Sequence, residues 1–262
     1  MIAISDNVQV RKDKPSGTIV INRPNRRNAL SREMVAALFQ AFEDLYHENS
    51  VRTIILTGTG STFCAGTDLQ ELKDTSEADN AAEVWHKDVT EFQQLIEYML
   101  RCPKPIICGL NGMVVGSGAA LMMASDIVIA DQQANLVMPE VHRGLFSGIA
   151  ATLLAHRIGT GQAANLLLTA NPVDCEEAFR LGLFQESVVG DLIWARCQEL
   201  AQQIATGANQ SQHLVKQLFN ETINEDLFTH LSIGAANTAT ARTTDAAIEG
   251  IAAFLEKRQP EW

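Results

Sequence analysis

The sequence predicts an α/β fold that ends in an all-helical tail. Short apolar runs of strand length alternate with segments of helical periodicity as far as about residue 190. Runs such as Ile106–Cys108 and Asp126–Ala130 are bounded by Pro, Asn and Gly turn residues. After Leu192 the strand pattern stops and every apolar repeat is helical. This shift divides the chain into a core over residues 1–190 and a helical region over residues 191–262. Because the strands are short and the turns recur, repeated ββα units fit as well as a doubly wound sheet.

From the N-terminus, Asn7–Arg11 and Thr18–Ile21 read as a hairpin around Pro15-Ser16-Gly17. Asn22–Asn28 is a polar loop carrying Arg23, Arg26 and Arg27. Ser31 caps a helix over Arg32–Glu48 whose apolar face is Met34, Val35, Leu38, Phe42 and Leu45. Thr53–Leu56 is a buried strand. In the loop Phe63–Leu69, the small residues Ala65, Gly66 and Thr67 leave backbone exposed, and Asp68 is placed to cap the next helix. Lys73–Ala82 is polar and reads as a mobile loop, followed by a helix over Ala82–Leu100 that Pro103 stops.

The stretch Lys104–Glu140 organises the rest. Strand Ile106–Cys108 turns at Asn111-Gly112, and Gly116-Ser117-Gly118 opens an Ala/Leu/Met helix whose first amides lie bare. Such amides, at the positive end of a helix dipole, suit developing negative charge. Strand Asp126–Ala130 follows, and strand Asn135–Met138 delivers Glu140 just past its end. Beyond the loop Val141–Ile149, helices are predicted over Gly148–His156, Gly161–Leu168 and Glu176–Leu181, then a strand over Glu186–Val189. The tail reads as helices Leu192–Ala205, Gln210–Asn220, Leu227–Ala235 and Thr244–Lys257.

Composition narrows the function. With 262 residues, 46% hydrophobic, the chain has material for a large core. A net charge of −11 makes nucleic acid and anionic membranes poor partners, so an anionic ligand needs a local basic patch. Gly112–Ala130 is apolar, but its glycines, serines and Asp126 argue against a membrane span. The N-terminus lacks a basic segment followed by an apolar one, so the expected location is the cytoplasm. The five scattered cysteines read as buried free thiols, and the six histidines never fall at ligand spacing, so no metal site is expected. Gly116-Ser117-Gly118 fits neither a dinucleotide fingerprint nor a nucleophile elbow.

Several stretches together resemble the enoyl-CoA hydratase/isomerase (crotonase) superfamily. They are N-R-P-N-R-R-N-A-L (Asn22–Leu30), F-C-A-G-T-D-L (Phe63–Leu69), K-P-I-I-C-G-L-N-G-M-V-V-G-S-G (Lys104–Gly118), A-S-D-I-V-I-A (Ala124–Ala130), P-E-V-H-R-G-L (Pro139–Leu145) and the closing A-F-L-E-K-R-Q-P-E-W. The motifs span essentially the whole chain in the family's order. The resemblance implies a spiral of ββα turns forming two nearly perpendicular sheets, with C-terminal helices that build trimers or dimers of trimers. It implies stabilisation of an acyl-CoA thioester enolate by two backbone amides, here those of Thr67 and Ser117. The second position is usually glycine in the family, and serine keeps the amide.

Coenzyme A then belongs to the substrate, and no tightly bound cofactor is implied. Its adenine would lie along Ala65, Thr67, Asp68 and Leu69, with Phe254 packed nearby and Arg26 and Arg27 at its phosphates. Lys257 and Arg258 would serve a neighbouring protomer's CoA. The helix over Ala82–Leu100 and the loop before it would shape the acyl pocket.

One departure bears on the reaction. Family hydratases carry two glutamates facing one water, one in a G-G-G-C-E pattern and one in P-E. Here Ala120 stands at the first position and Glu140 at the second. Beside Met138 and Val141, burial would raise the Glu140 pKa. A single carboxylate among apolar walls favours 3,2-enoyl-CoA isomerisation, in which one base carries a proton from C2 to C4. Hydration of 2-enoyl-CoA, with His142 and Ser147 holding a water, is the alternative. Another enolate reaction and a CoA-binding paralogue without turnover remain further readings. A small helical tail is not expected to bury the apolar faces Leu227, Phe228, Leu231 and Ile248, Ile251, Leu255 alone, which points to a trimer or dimer of trimers.

Overall fold

The computed structural model describes residues 2–223 and 226–262. Strands β1 (Ile2–Ser5), β2 (Val8–Asp13) and β3 (Ser16–Ile21) form an antiparallel ribbon, as alternation and the Pro15 turn predict. Beyond it the chain repeats one pattern. β4 (Thr53–Gly58), β5 (Thr62–Cys64) and α2 (Leu69–Ser76) make the first turn of a spiral. β6 (Ile106–Leu110), β7 (Met113–Val115) and α4 (Ser117–Met123) make the second. β8 (Ile127–Asp131), β9 (Leu136–Val137) and α5 (Gly148–Ile158) make the third. The helices α1 (Arg32–His47) and α3 (Ala81–Arg101) lie between turns.

The first strand of each turn joins the large sheet and the second joins a small one. With β10 (Glu186–Val188), the large sheet runs β1-β2-β3-β4-β6-β8-β10, parallel from β3 onward. The small sheet is β5-β7-β9, also parallel. This is the ββα spiral, one of the two architectures the strand pattern allowed. β5 and β7 escape a reading by periodicity because three residues are too few to alternate.

Both faces of the large sheet are buried, which explains its near-continuous apolar strands. Ile54 and Leu56 of β4, Ile106 and Cys108 of β6, and Val128 of β8 face the main core. The intervening Ile55, Ile107 and Ile129 face the other side, where Ile193, Cys197 and Ala201 of α8 (Ile193–Ala205) cover them. The first helix of the tail is therefore a layer of the sheet packing. Within the main core, α1 buries Met34, Leu38, Phe42 and Leu45, and Ser31 Oγ caps it by accepting from the Met34 amide at 3.3 Å.

Lys73–Ala82 departs from expectation. α2 continues to Ser76, with Thr75 buried and accepting from Arg32 Nη2 at 2.5 Å, so a polar surface strip conceals a helix docked by hydrogen bonds. Helices α6 (Thr160–Thr169), α7 (Cys175–Arg180) and α9 (Asn209–Gln217) fall near their predicted positions. α10 (Leu227–Ala241) runs a turn and a half past its expected end, because Gly234, Ala235 and Thr238 let it pack closely against α5. α11 (Asp245–Glu256) docks on α2.

The apolar faces of the tail are covered only in part. Leu227, Leu231 and Ile251 are buried within the chain itself. Ile248 remains exposed, joined by Phe219, Ile223 and Ile233. No helix among the described residues is long and apolar enough to cross a membrane.

Candidate active site

Two backbone turns build the centre. Gly66 adopts φ +83, and a Cβ there would lie 2.9 Å from the Val115 carbonyl and 3.5 Å from the Ser117 amide nitrogen, so the two loops touch only because residue 66 is glycine. On the facing loop the positive φ, +52, falls on Gly116. Ser117 is thereby free to be an ordinary first helical residue of α4, and serine replaces the family's glycine without backbone strain. Neither the Thr67 nor the Ser117 amide donates to a backbone carbonyl among the described residues. Their hydroxyls meet at 2.9 Å across the gap.

Glu140 arrives from the third turn. β9 pairs with β7 through Val137 and Val115, and the Gly116 amide donates to the Val137 carbonyl at 3.2 Å. The chain then closes a 3₁₀ turn over Glu140–Arg143. Glu140 Oε1 lies where a Cβ on Gly116 would stand, and Oε2 is buried without a hydrogen-bond partner. Burial pushes the carboxyl up to about 7, against the smaller downward pull of its own backbone amide and Arg143.

Thr67, Ser117 and Glu140 line one small cavity of about 40 Å³, in which Glu140 is the carboxylate of the wall. Ala120 is fully buried in the core and lines none of this space, so α4 presents no acid to it. Ser147 faces the cavity, whereas His142 is exposed and outside its wall.

Toward solvent this cavity shares Ala65, Thr67, Leu69, Val115 and Arg143 with an open groove of about 700 Å³. Arg26, Arg27, Ala65, Thr67, Asp68, Leu69, Phe254 and Lys257 all line that groove. Lys257 and Phe254 therefore border this chain's own groove. Arg258 is tied to Glu249 and Glu256. The Asp68 carboxylate is also committed: it accepts from the Gln70 amide as cap of α2 and pairs with Arg23 at 2.6 Å. The groove supplies the local basic patch that an anionic ligand needs on an acidic chain.

On another side the cavity shares Thr67, Leu72, Ser117, Ser147, Thr238 and Arg242 with a second pocket of about 50 Å³. Leu30, Val35, Val89 and Phe92 give it apolar walls, with α3 contributing as anticipated. Groove, cavity and second pocket adjoin one another through these shared residues, with Glu140 on the wall of the middle one. A family model described as Enoyl-CoA hydratase/isomerase matches residues 14–262.

The chain belongs to the enoyl-CoA hydratase/isomerase family. A crotonyl-CoA hydratase from Syntrophomonas wolfei is 32% identical over 256 residues, covering 97% of this chain and 96% of the relative. A 1,2-epoxyphenylacetyl-CoA isomerase from Escherichia coli is 31% identical over 246 residues, covering 94% of each. Among solved structures, an enoyl-CoA hydratase/isomerase from Pseudoalteromonas atlantica matches with a TM-score of 0.85 at 29% identity, over 98% of this chain and 99% of that one. This family member is thus an enzyme acting on acyl-CoA thioesters.

Sequence reasoning missed two arginines. Arg143, its guanidinium 4.2 Å from the centre of the Phe254 ring, borders both groove and cavity. It stands three residues after Glu140, one 3₁₀ turn away, so the P-E-V-H-R-G-L motif held a signal for it. Arg242 had none: it reaches the site only because α10 packs on α5.

Proposed function

We propose that this enzyme isomerises 3-enoyl-CoA to 2-enoyl-CoA, with Glu140 as the single acid/base. The observation that carries the reading is one carboxylate, with a pKa pushed up to about 7, lining the cavity between the Thr67 and Ser117 amides. Ionised Glu140 removes a proton from C2. The C–H electron pair moves toward the thioester carbonyl, whose oxygen becomes the anion held by the two amides. Protonated Glu140 then delivers the same proton to C4, the C2–C3 double bond forms, and the carbonyl is restored. Each amide is worth about 3–4 kcal/mol if it meets the oxyanion rather than the ground-state oxygen. A carboxyl near pH 7 is matched to both halves of the transfer.

In this reading CoA is part of the substrate, not a resident cofactor. Arg26, Arg27 and Lys257 supply charge for its phosphates, and the Ala65–Leu69 backbone faces its adenine. We further propose a trimer or dimer of trimers, supported by the exposed Ile223, Ile233 and Ile248.

The test offers matched 3-enoyl and 2-enoyl thioesters and identifies products by mass spectrometry. Isomerisation faster than hydration is expected, with partial retention of the substrate proton in deuterated water. Glu140→Gln should abolish turnover while CoA binding persists. Faster hydration would overturn the isomerase reading and give Ser147 a role in holding water. Full activity in Glu140→Gln would remove Glu140 from the mechanism.

A further inference from the structure

The second pocket contains a buried guanidinium that no side chain of the wall pairs within salt-bridge distance. Arg242 closes α10, is only 8% exposed, and lines both the reactive cavity and the second pocket. Its Nη1 is buried and has no hydrogen-bond partner. A buried guanidinium left unpaired is costly, and a retained one is usually met by an anion.

The other charged groups of the wall are already engaged. Asp88 accepts from Arg32 Nε at 2.6 Å and from Arg32 Nη2 at 2.9 Å. Glu71 accepts from the Arg32 amide at 3.0 Å and lies 3.8 Å from its guanidinium. Glu91 pairs with Lys87 at 3.7 Å. The charges that act on Arg242 are Asp88, which favours its protonated form, and Arg32, which opposes it more weakly; the two are members of one ion pair. Burial pushes Arg242 down to about 10, so it stays protonated at neutral pH. Apolar Val35, Val89 and Phe92 lie in the same wall, as an aliphatic segment ending in a polar group requires.

We propose that Arg242 determines specificity by binding a carboxylate at the far end of the acyl group, so that the substrates are CoA monothioesters of unsaturated dicarboxylic acids. This rests on the acyl-CoA reading of the site and names its substrate class. The guanidinium presents a planar fork that a carboxylate matches in two hydrogen bonds, which a terminal methyl cannot use.

The experiment compares 3-enoyl-CoA substrates of equal length ending in a carboxylate, a carboxamide or a methyl group. The wild type should prefer the carboxylate in kcat/KM, chiefly through KM. In Arg242→Met the carboxylate-to-methyl ratio should fall on the order of 100-fold, and Arg242→Lys should restore part of it. Circular dichroism and thermal melting establish that each variant folds, and the wild-type preference stands without them. A wild-type preference for the methyl end, equal use of carboxamide and carboxylate, or an unchanged ratio in Arg242→Met would each overturn the proposal. If the wild type turns over no enoyl thioester, the isomerase reading fails by itself. Calorimetry with the saturated thioesters then decides for Arg242: tighter binding of the carboxylate form supports the proposal, and equal binding refutes it.

Discussion

Glu140 carries a cost that its chemistry makes useful. Lifting a carboxyl from 4.5 to about 7 burdens the folded state by about 3 kcal/mol once the group is ionised. The unfolded chain ionises it near 4.5 and the folded chain only near 7, so this penalty is absent at pH 4, grows between the two values and is complete above pH 7. Glu140→Gln should therefore stabilise the protein at pH 8 and leave it unchanged at pH 4, as urea melts at the two pH values would read. Equal effects at both would mean that the carboxylate is solvated. The rate of the wild type should rise with pH through about 7 as the base form appears.

At the scale of elements, the site depends on how helices begin. α4 starts at Ser117 with unspent amides because Gly116 turns the chain with φ +52. α2 starts just after Thr67 because Asp68 caps it, accepting from the Gln70 amide at 3.1 Å. The cap and the pair with Arg23 fix the segment that carries the Thr67 amide. Asp68→Ala should cost about 1–2 kcal/mol in chemical denaturation, while Asp68→Asn keeps the cap and loses less. CoA affinity should hold in Asp68→Asn. A marked loss there would assign the carboxylate to the ligand instead of to the helix. Farther out, Lys216 of α9 is buried against Asp126 at 2.7 Å, and Asp126 in turn accepts from the Ile106 amide, so one ion pair ties the tail to the start of β6.

At the scale of the whole molecule, the tail has two roles. α8 completes the second core beneath the large sheet, and α10 closes the active site from behind with Thr238 and Arg242. A cleft of about 730 Å³ between α5 and α10 leaves Phe146, Ile223 and Ile233 at its surface. Covering such a face is the expected use of a second copy. Light scattering at micromolar concentration should give the mass of a trimer or its multiple; a monomer would show that these side chains serve another purpose.

Hydrophobic patterning was sufficient for α1 and α3, which each bury one face and repeat apolar residues near 3.6, and for β4, β6 and β8, which are buried on both faces and read as short apolar runs. The two glycine-flanked loops and Glu140 were legible for a related reason: bare amides and a strand-end acid are local features, and the motifs around them carry the family's order. Tertiary structure decided the rest. It set the positive φ on Gly116 and spared Ser117, put Ala120 wholly in the core, spent Asp68 on a cap, and brought Lys257 to its own chain's groove. It also carried Arg242 from the end of α10 to the wall of the cavity that Glu140 lines. These depend on which distant elements touch, and burial, not sequence spacing, determines what a side chain in such a contact can do.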